Sequence, residues 1–453
     1  MLLEAIAGLM SRPEWRLPPS DCSPLKDRYS STTPRSDSST SLDSDNDFLI
    51  ESVHHNMRTM FVSNLSSQMA FAVSTLSQRS TPPSTVSFGG KTAAYAFFFC
   101  PGVADAVIRS WKTPLKAYQR VLDEFGIPPR YDFSGKNEDI VRGFPRCIRG
   151  LRYTSFGSTV RRRRSLQEPI IPLSSDKIDW DGPWVTRWVT GDTDLFFVFV
   201  KHYHNLLSEF LPPGIGDREH ICCPGFLQIH AQMLVAFDHT IQCQSPSDEP
   251  LTGPSPVTFD DVLEGADTTA AALQLPLAGL AKEMAENRLV VLLREFLSEF
   301  HSPLDNSRQV FTRTFSLLMK AAAKRTSMFD QTACFALCEF MEEAFFILLR
   351  YQQDSNISFD LIDWPFWQIV CQKMVSSHNS MTEIRVFAFL YNIWGVLTKD
   401  EKRKEQICLD WLLTESTFEQ LFQHWCPMNR SYYMRLLCWR LARFDGTASE
   451  VNV

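Results

Sequence analysis

Between residues 258 and 444 the chain hardly interrupts a helical pattern. "SRQVFTRTFSLLMKAAAKR", "DQTACFALCEFMEEAFFILLRY", "WPFWQIVCQKMV" and "TEIRVFAFLYNIWGVL" each place apolar residues on helical spacing, and only short breaks separate them. Helices joined by short loops are antiparallel neighbours. The chain has only 19 glycines, too few for the many turns of a strand-rich fold. Its 453 residues are enough for a large core or for two to three ordinary domains.

The pattern predicts an all-α fold, an irregular armadillo- or HEAT-like α-solenoid with a disordered N-terminal segment and long internal loops. Two-helix units of about 40–45 residues suit such arrays, although the tryptophans near 364, 394, 411, 425 and 439 do not fall into a strict period. Residues 1–50, rich in Ser, Thr, Pro and Asp, cannot bury enough surface to offset ordering entropy and are expected to be disordered. Residues 51–243 form an N-terminal helical region, interrupted by a basic loop at 130–175. Residues 244–257 are a linker, and residues 258–446 a C-terminal helical array.

In the first region Met57, Phe61, Leu65, Met69, Ala72 and Leu76 define one helix face, ended by the Pro- and Gly-rich "RSTPPSTVSFGGK". "TAAYAFFFC" and "GVADAVIRSW" then predict two short helices hinged at Pro101. Residues 92–108 are apolar but broken by Pro101 and Asp105, short of the ~18–20 residues of a membrane span.

Charge and cysteine usage exclude several classes. A net charge of −7 argues against general nucleic-acid binding, and no specific nucleic acid is expected. Twelve cysteines without a cleavable leader indicate a reducing compartment and free thiols. Cys334, Cys338, Cys371, Cys408 and Cys438 lie in apolar helical stretches, where Cys acts as a small buried hydrophobe. The expected location is the cytoplasm, with membrane association and nuclear entry left open.

Catalytic motifs are missing: there is no G-x-S-x-G, P-loop or H-E-x-x-H. His202 and His204, near Asp192 and Asp194, point to different helix faces, and a polar packing role outweighs acid–base chemistry. His220, Cys222, Cys223 and His230 lack the paired spacing of zinc modules. No catalytic residue, metal or cofactor is therefore assigned.

Two basic features remain as partner contacts. Residues 130–164 hold ten Lys and Arg against three acids, and Arg161, Arg162, Arg163 and Arg164 precede Ser165 in the pattern of a basophilic kinase acceptor. The same run could mark nuclear import, an anionic membrane surface or only a solvated loop. On a helix over 430–444, Arg435, Trp439 and Arg443 fall at i, i+4 and i+8, an Arg–Trp–Arg ladder suited to an acidic peptide or a lipid headgroup. Met434, Leu437, Cys438, Leu441 and Phe444 then face the core. The alternative is that the ladder pairs with Glu339, Glu342 and Glu343 of a neighbouring helix.

Three stretches, "AYAFFFCPGVADAVIRSW", "CCPGFLQIHAQMLVAFDHTI" and "HWCPMNRSYYMRLLCWRLARFDG", resemble an uncharacterised fungal family, domain of unknown function 1765. The likeness runs from about residue 50 to the C-terminus. It implies an armadillo-like helical protein with no established catalytic residues. Some members are labelled membrane proteins. Family chains can continue past the Arg-rich helix, so a chain ending at Val453 is expected to be a short member or part of a longer gene.

The function expected is a non-catalytic scaffold or adaptor for protein partners of unknown identity. One alternative is a peripheral membrane adaptor using the basic loop and the apolar hairpin at 92–108. Another is an enzyme of unrecognised class.

Overall fold

The computed structural model describes residues 2–10, 41–78, 80–128, 131, 136–153, 178–180, 182–189, 194–212, 214–242, 283–298, 305–355 and 360–442. Among the described residues there are helices and no strands. They form two compact units, residues 1–233 with 303–311, and residues 234–302 with 312–453. The basic run at 161–164, Ser165, Asp192, Arg443, Phe444, the linker at 244–257 and residues 11–40 lie outside the described residues.

The first unit contains α1 (Leu2–Met10), α2 (Ser41–Leu76), α3 (Pro83–Phe99), α4 (Val103–Ser110), α5 (Leu115–Glu124), α6 (Lys136–Arg142), α7 (Thr186–Val189) and α8 (Leu195–Phe210). Helix α9 (Phe226–Gln242) starts in this unit and ends in the second. α2 begins at Ser41 rather than near Glu51.

α3 is the centre of this unit and packs on α1, α2, α4 and α8. It starts at Pro83, so Gly89 and Gly90 are helical rather than part of a linker. The reason is close approach. A Cβ on Gly90 would lie 2.7 Å from Val198 Cβ and 3.0 Å from the Leu195 carbonyl oxygen of α8. Phe97 and Phe98 of α3 are fully buried, with Phe199, Tyr203 and Phe210 packed on them at ring separations of 5.5–6.0 Å. The apolar stretch 92–108 is therefore α3 and α4, with most of its side chains buried within the unit. Burial of that surface is the main drive for this fold.

The second unit contains α10 (Arg288–Ser298), α11 (Asp305–Arg325, from Thr312), α12 (Gln331–Asp354), α13 (Trp364–Val375), α14 (Ser380–Leu397), α15 (Glu401–Ile407), α16 (Glu415–Phe422) and α17 (Pro427–Leu436). Starts are set by side-chain caps. Asp330, Asp363, Asn379 and Asp400 each accept a backbone N–H of the first turn. α12 packs on α10 and on α14, and α14 packs on α13 and α17.

Two helices end in a π-turn, residues Cys408–Leu412 after α15 and Leu437–Leu441 after α17. Their marks are the bonds Leu413 N–H to Cys408 O and Ala442 N–H to Leu437 O, both 2.8 Å. The core face expected for helix 430–444 is met only in part, at Leu437. Asn429, Tyr433, Leu436 and Leu437 face the core, while Leu441 is only half-buried and Cys438 is exposed. A wider turn shifts each later residue around the axis, so a uniform helical wheel misplaces them.

Candidate functional site

The motif "HWCPMNRSYY" closes a buried polar network in the second unit. Glu383 of α14 is fully buried, and its Oε2 lies 3.3 Å from Nε2 of His424. Nδ1 of His424 accepts the Cys426 N–H at 3.1 Å, which leaves Nε2 as the side that carries a proton toward Glu383. Asn429, also fully buried, donates its amide to the same carboxylate. Glu383 Oε1 and Asn429 Oδ1 have no protein partner. Burial pushes the Glu383 carboxyl above its ordinary range, and His424 and His378 pull it back only in part. Arg430 ties the corner by donating to the carbonyl oxygen of His424.

A second buried charge sits close along α14. Arg385 Nη2 lies 3.0 Å from Glu339 Oε1 and 3.0 Å from Glu342 Oε2 of α12. Burial alone would lower the Arg385 pKa, but Cys338, Glu339 and Glu342 outweigh it and raise it. Asn392 donates to the other Glu342 oxygen at 2.8 Å, and Glu343 meets Arg294 at 3.4 Å. Among the described residues these acids thus pair with α14 and α10.

Arg435 and Trp439 are the two ladder residues that the structure describes, and Arg443 lies outside it. Arg435 is exposed and Trp439 is 61% exposed. The guanidinium that stacks is Arg440, 4.1 Å from the Tyr391 ring of α14. In the basic stretch, Arg149 spends its guanidinium on the carbonyls of Phe144 (2.7 Å) and Arg142 (2.8 Å).

Apolar side chains are also exposed along this stretch of the chain. Leu409, Leu413, Phe418, Phe422, Trp425 and Trp439 are all exposed, Trp425 by 78%. Phe418 and Phe422 stack at 5.1 Å and 13°. Sequence reading picked out Trp439 and missed the others. Phe418 and Phe422 carry the signal, two aromatics at i, i+4 beside Glu415 and Glu419 on a short helix, but apolar spacing of that kind usually marks a core face.

The histidine and cysteine candidates resolve into packing. His204 and His230 are fully buried, with their Nε2 atoms 3.1 Å apart. His230 Nδ1 donates to the Phe226 carbonyl at 2.7 Å, so its Nε2 accepts the proton of His204 Nε2. Burial, with the backbone bond to Phe226 opposing, brings His230 down to about 3. His220 stacks on Phe226 instead of joining the pair. Burial raises the Cys222 thiol to about 12 and Cys223 higher still. Among the described residues, no group of three or more His, Cys, Asp or Glu is placed to hold a metal ion. The ten described cysteines are thiols, but Cys408 is half-exposed and Cys438 exposed, not buried as their apolar contexts suggest.

The fold and this corner define a class, a protein helical among its described residues with a polar-knotted, aromatic-faced C-terminal unit. Residues 315–441, all within that unit, match the family model described as Protein of unknown function (DUF1765). It is 26% identical over 400 residues to UPF0592 membrane protein C7D4.03c of Schizosaccharomyces pombe. The match covers 83% of this chain and 41% of that relative's length. No solved structure matches. Among the described residues, no helix is long and apolar enough to cross a membrane.

Proposed function

We propose that this protein is a non-catalytic helical scaffold that binds other proteins through the C-terminal corner of its second unit. One observation carries the reading: six exposed large apolar side chains fall between Leu409 and Trp439. Contiguous exposed apolar surface marks interaction sites, and Trp is enriched where binding energy concentrates. The side-by-side packing of α10 with α12, α12 with α14 and α14 with α17 supports an α-solenoid-like arrangement of this unit. Free thiols suit a cytoplasmic setting.

Size-exclusion chromatography of cell extract tests this. The native chain should run in an assembly larger than itself. A Phe418→Ala, Phe422→Ala, Trp425→Ala variant should run at the size of the chain alone. Identical elution of the two would reject the reading.

A second reading, a peripheral membrane adaptor, is favoured by the name of the fungal relative, a membrane protein. It now rests on the basic run at 161–164, since the 92–108 stretch is spent in the core. Sedimentation with anionic vesicles that is lost when Arg161 to Arg164 are replaced by Gln would support it over the first.

A further inference from the structure

Among the described residues nothing covers the exposed face of α16, and its charge says what would cover it. Glu415, Phe418, Glu419 and Phe422 stand at i, i+3, i+4 and i+7, one arc of a single helix, and all four are exposed. Leu421, on the opposite side, is buried. The two rings are held in place before any partner arrives. They stack on each other, and Phe418 meets Tyr433 edge-on at 6.3 Å. Tyr433 is itself pinned by its hydroxyl, which donates to the Leu412 carbonyl at 2.6 Å. A pre-organised aromatic face loses little side-chain entropy on binding. Trp425 follows α16 with its ring against His424 at 5.7 Å, and so is anchored to the buried network while remaining largely exposed.

The charge carried by the segment itself has one sign, with Arg430 following it and donating to the Trp425 carbonyl at 3.4 Å. From residue 405 to 429 there is no Lys or Arg, whereas Glu405, Asp410, Glu415 and Glu419 are all exposed. An acidic rim is repelled by the anionic cytoplasmic leaflet of a membrane. It attracts a peptide with Lys and Arg beside its apolar residues. We propose that the α16 face, with Trp425, receives a basic amphipathic helix of a protein partner. The partner's apolar side chains would dock on Phe418, Phe422 and Trp425, and its cations would meet Glu415 and Glu419. This is the helix-on-apolar-face mode of recognition. It rests on the scaffold reading above and adds the chemistry of the partner.

The test uses the full chain and three synthetic helical peptides that share one Leu/Phe face, with polar faces of Lys/Arg, of Gln or of Glu. Fluorescence anisotropy should show the basic peptide binding at least ~10-fold tighter than the other two at low salt, with the advantage shrinking as salt rises. Phe422→Ala should remove binding of the basic peptide. Glu415→Lys with Glu419→Lys should invert the order in favour of the acidic peptide. Both variants should keep the native circular dichroism spectrum, since the changed side chains are exposed. Equal binding of all three peptides overturns the basic-partner assignment and leaves the scaffold reading standing. So does sedimentation with phosphatidylcholine–phosphatidylserine vesicles that depends on Phe422. If neither peptides nor vesicles bind, α16 is not a docking face. The scaffold reading is then judged separately by the elution of the native chain from cell extract.

Discussion

The Glu383 carboxylate lies 3.3 Å from the imidazole Nε2 of His424, and both side chains are buried. Burial raises the Glu383 pKa, so the folded state holds that proton more tightly than the unfolded chain does. Between the ordinary carboxylate value and the raised one, the native state binds more protons. Stability therefore falls as pH rises through that window. Glu383→Gln should flatten this part of the curve, measured as urea midpoint against pH. An unchanged slope would contradict the account. Asn429→Ala removes a donor to a buried acid and should cost about 1–3 kcal/mol.

The buried His204–His230 pair gives the opposite sign. Both imidazoles are held below their ordinary value, His230 at about 3. The unfolded chain takes up protons near pH ~6.5 and the native chain does not, so stability drops as pH falls from there toward 3. His230→Gln should lessen that acid-side drop in a thermal-unfolding series. A drop of the same size would assign it to other groups.

Gly90→Ala tests the contact between α3 and α8. Alanine normally favours a helix by ~1 kcal/mol over glycine. Here its Cβ would meet Val198 at 2.7 Å. The net effect should be a loss of ~1–3 kcal/mol from overpacking. A stabilised variant would show that α8 can move away at little cost.

The π-turn after α17 separates two leucines that a uniform wheel ranks differently. Leu436 is fully buried, whereas Leu441 is half-buried. Leu436→Ala should cost ~2–5 kcal/mol, and Leu441→Ala clearly less. Equal losses in chemical denaturation would restore a regular helix to 430–444.

Helices were legible wherever apolar spacing was long and regular, as in α12 and α14. Asp330, Asp363 and Asn379 mark starts that a cap pattern can locate. Gly89 and Gly90 misled because local propensity makes glycine a breaker, and the neighbour that requires it, α8, is distant in sequence. The corner of the second unit was only half legible. "HWCPMNRSYY" stood out as a motif, but its acid, Glu383, belongs to another helix. Trp425 carries nothing in sequence to show that it faces outward, and the i, i+4 pair of Phe418 and Phe422 reads as readily as a core face. Charge told little where it could be followed, because Arg149 of the basic stretch holds backbone carbonyls while the run at 161–164 lies outside the described residues.

Proximity labelling in living cells tests the scaffold account most directly, comparing the native chain with the Phe418→Ala, Phe422→Ala, Trp425→Ala variant at equal abundance and equal melting temperature. The account predicts that a defined set of neighbouring proteins is labelled by the native chain and lost with the variant. The same neighbours labelled by both would contradict it.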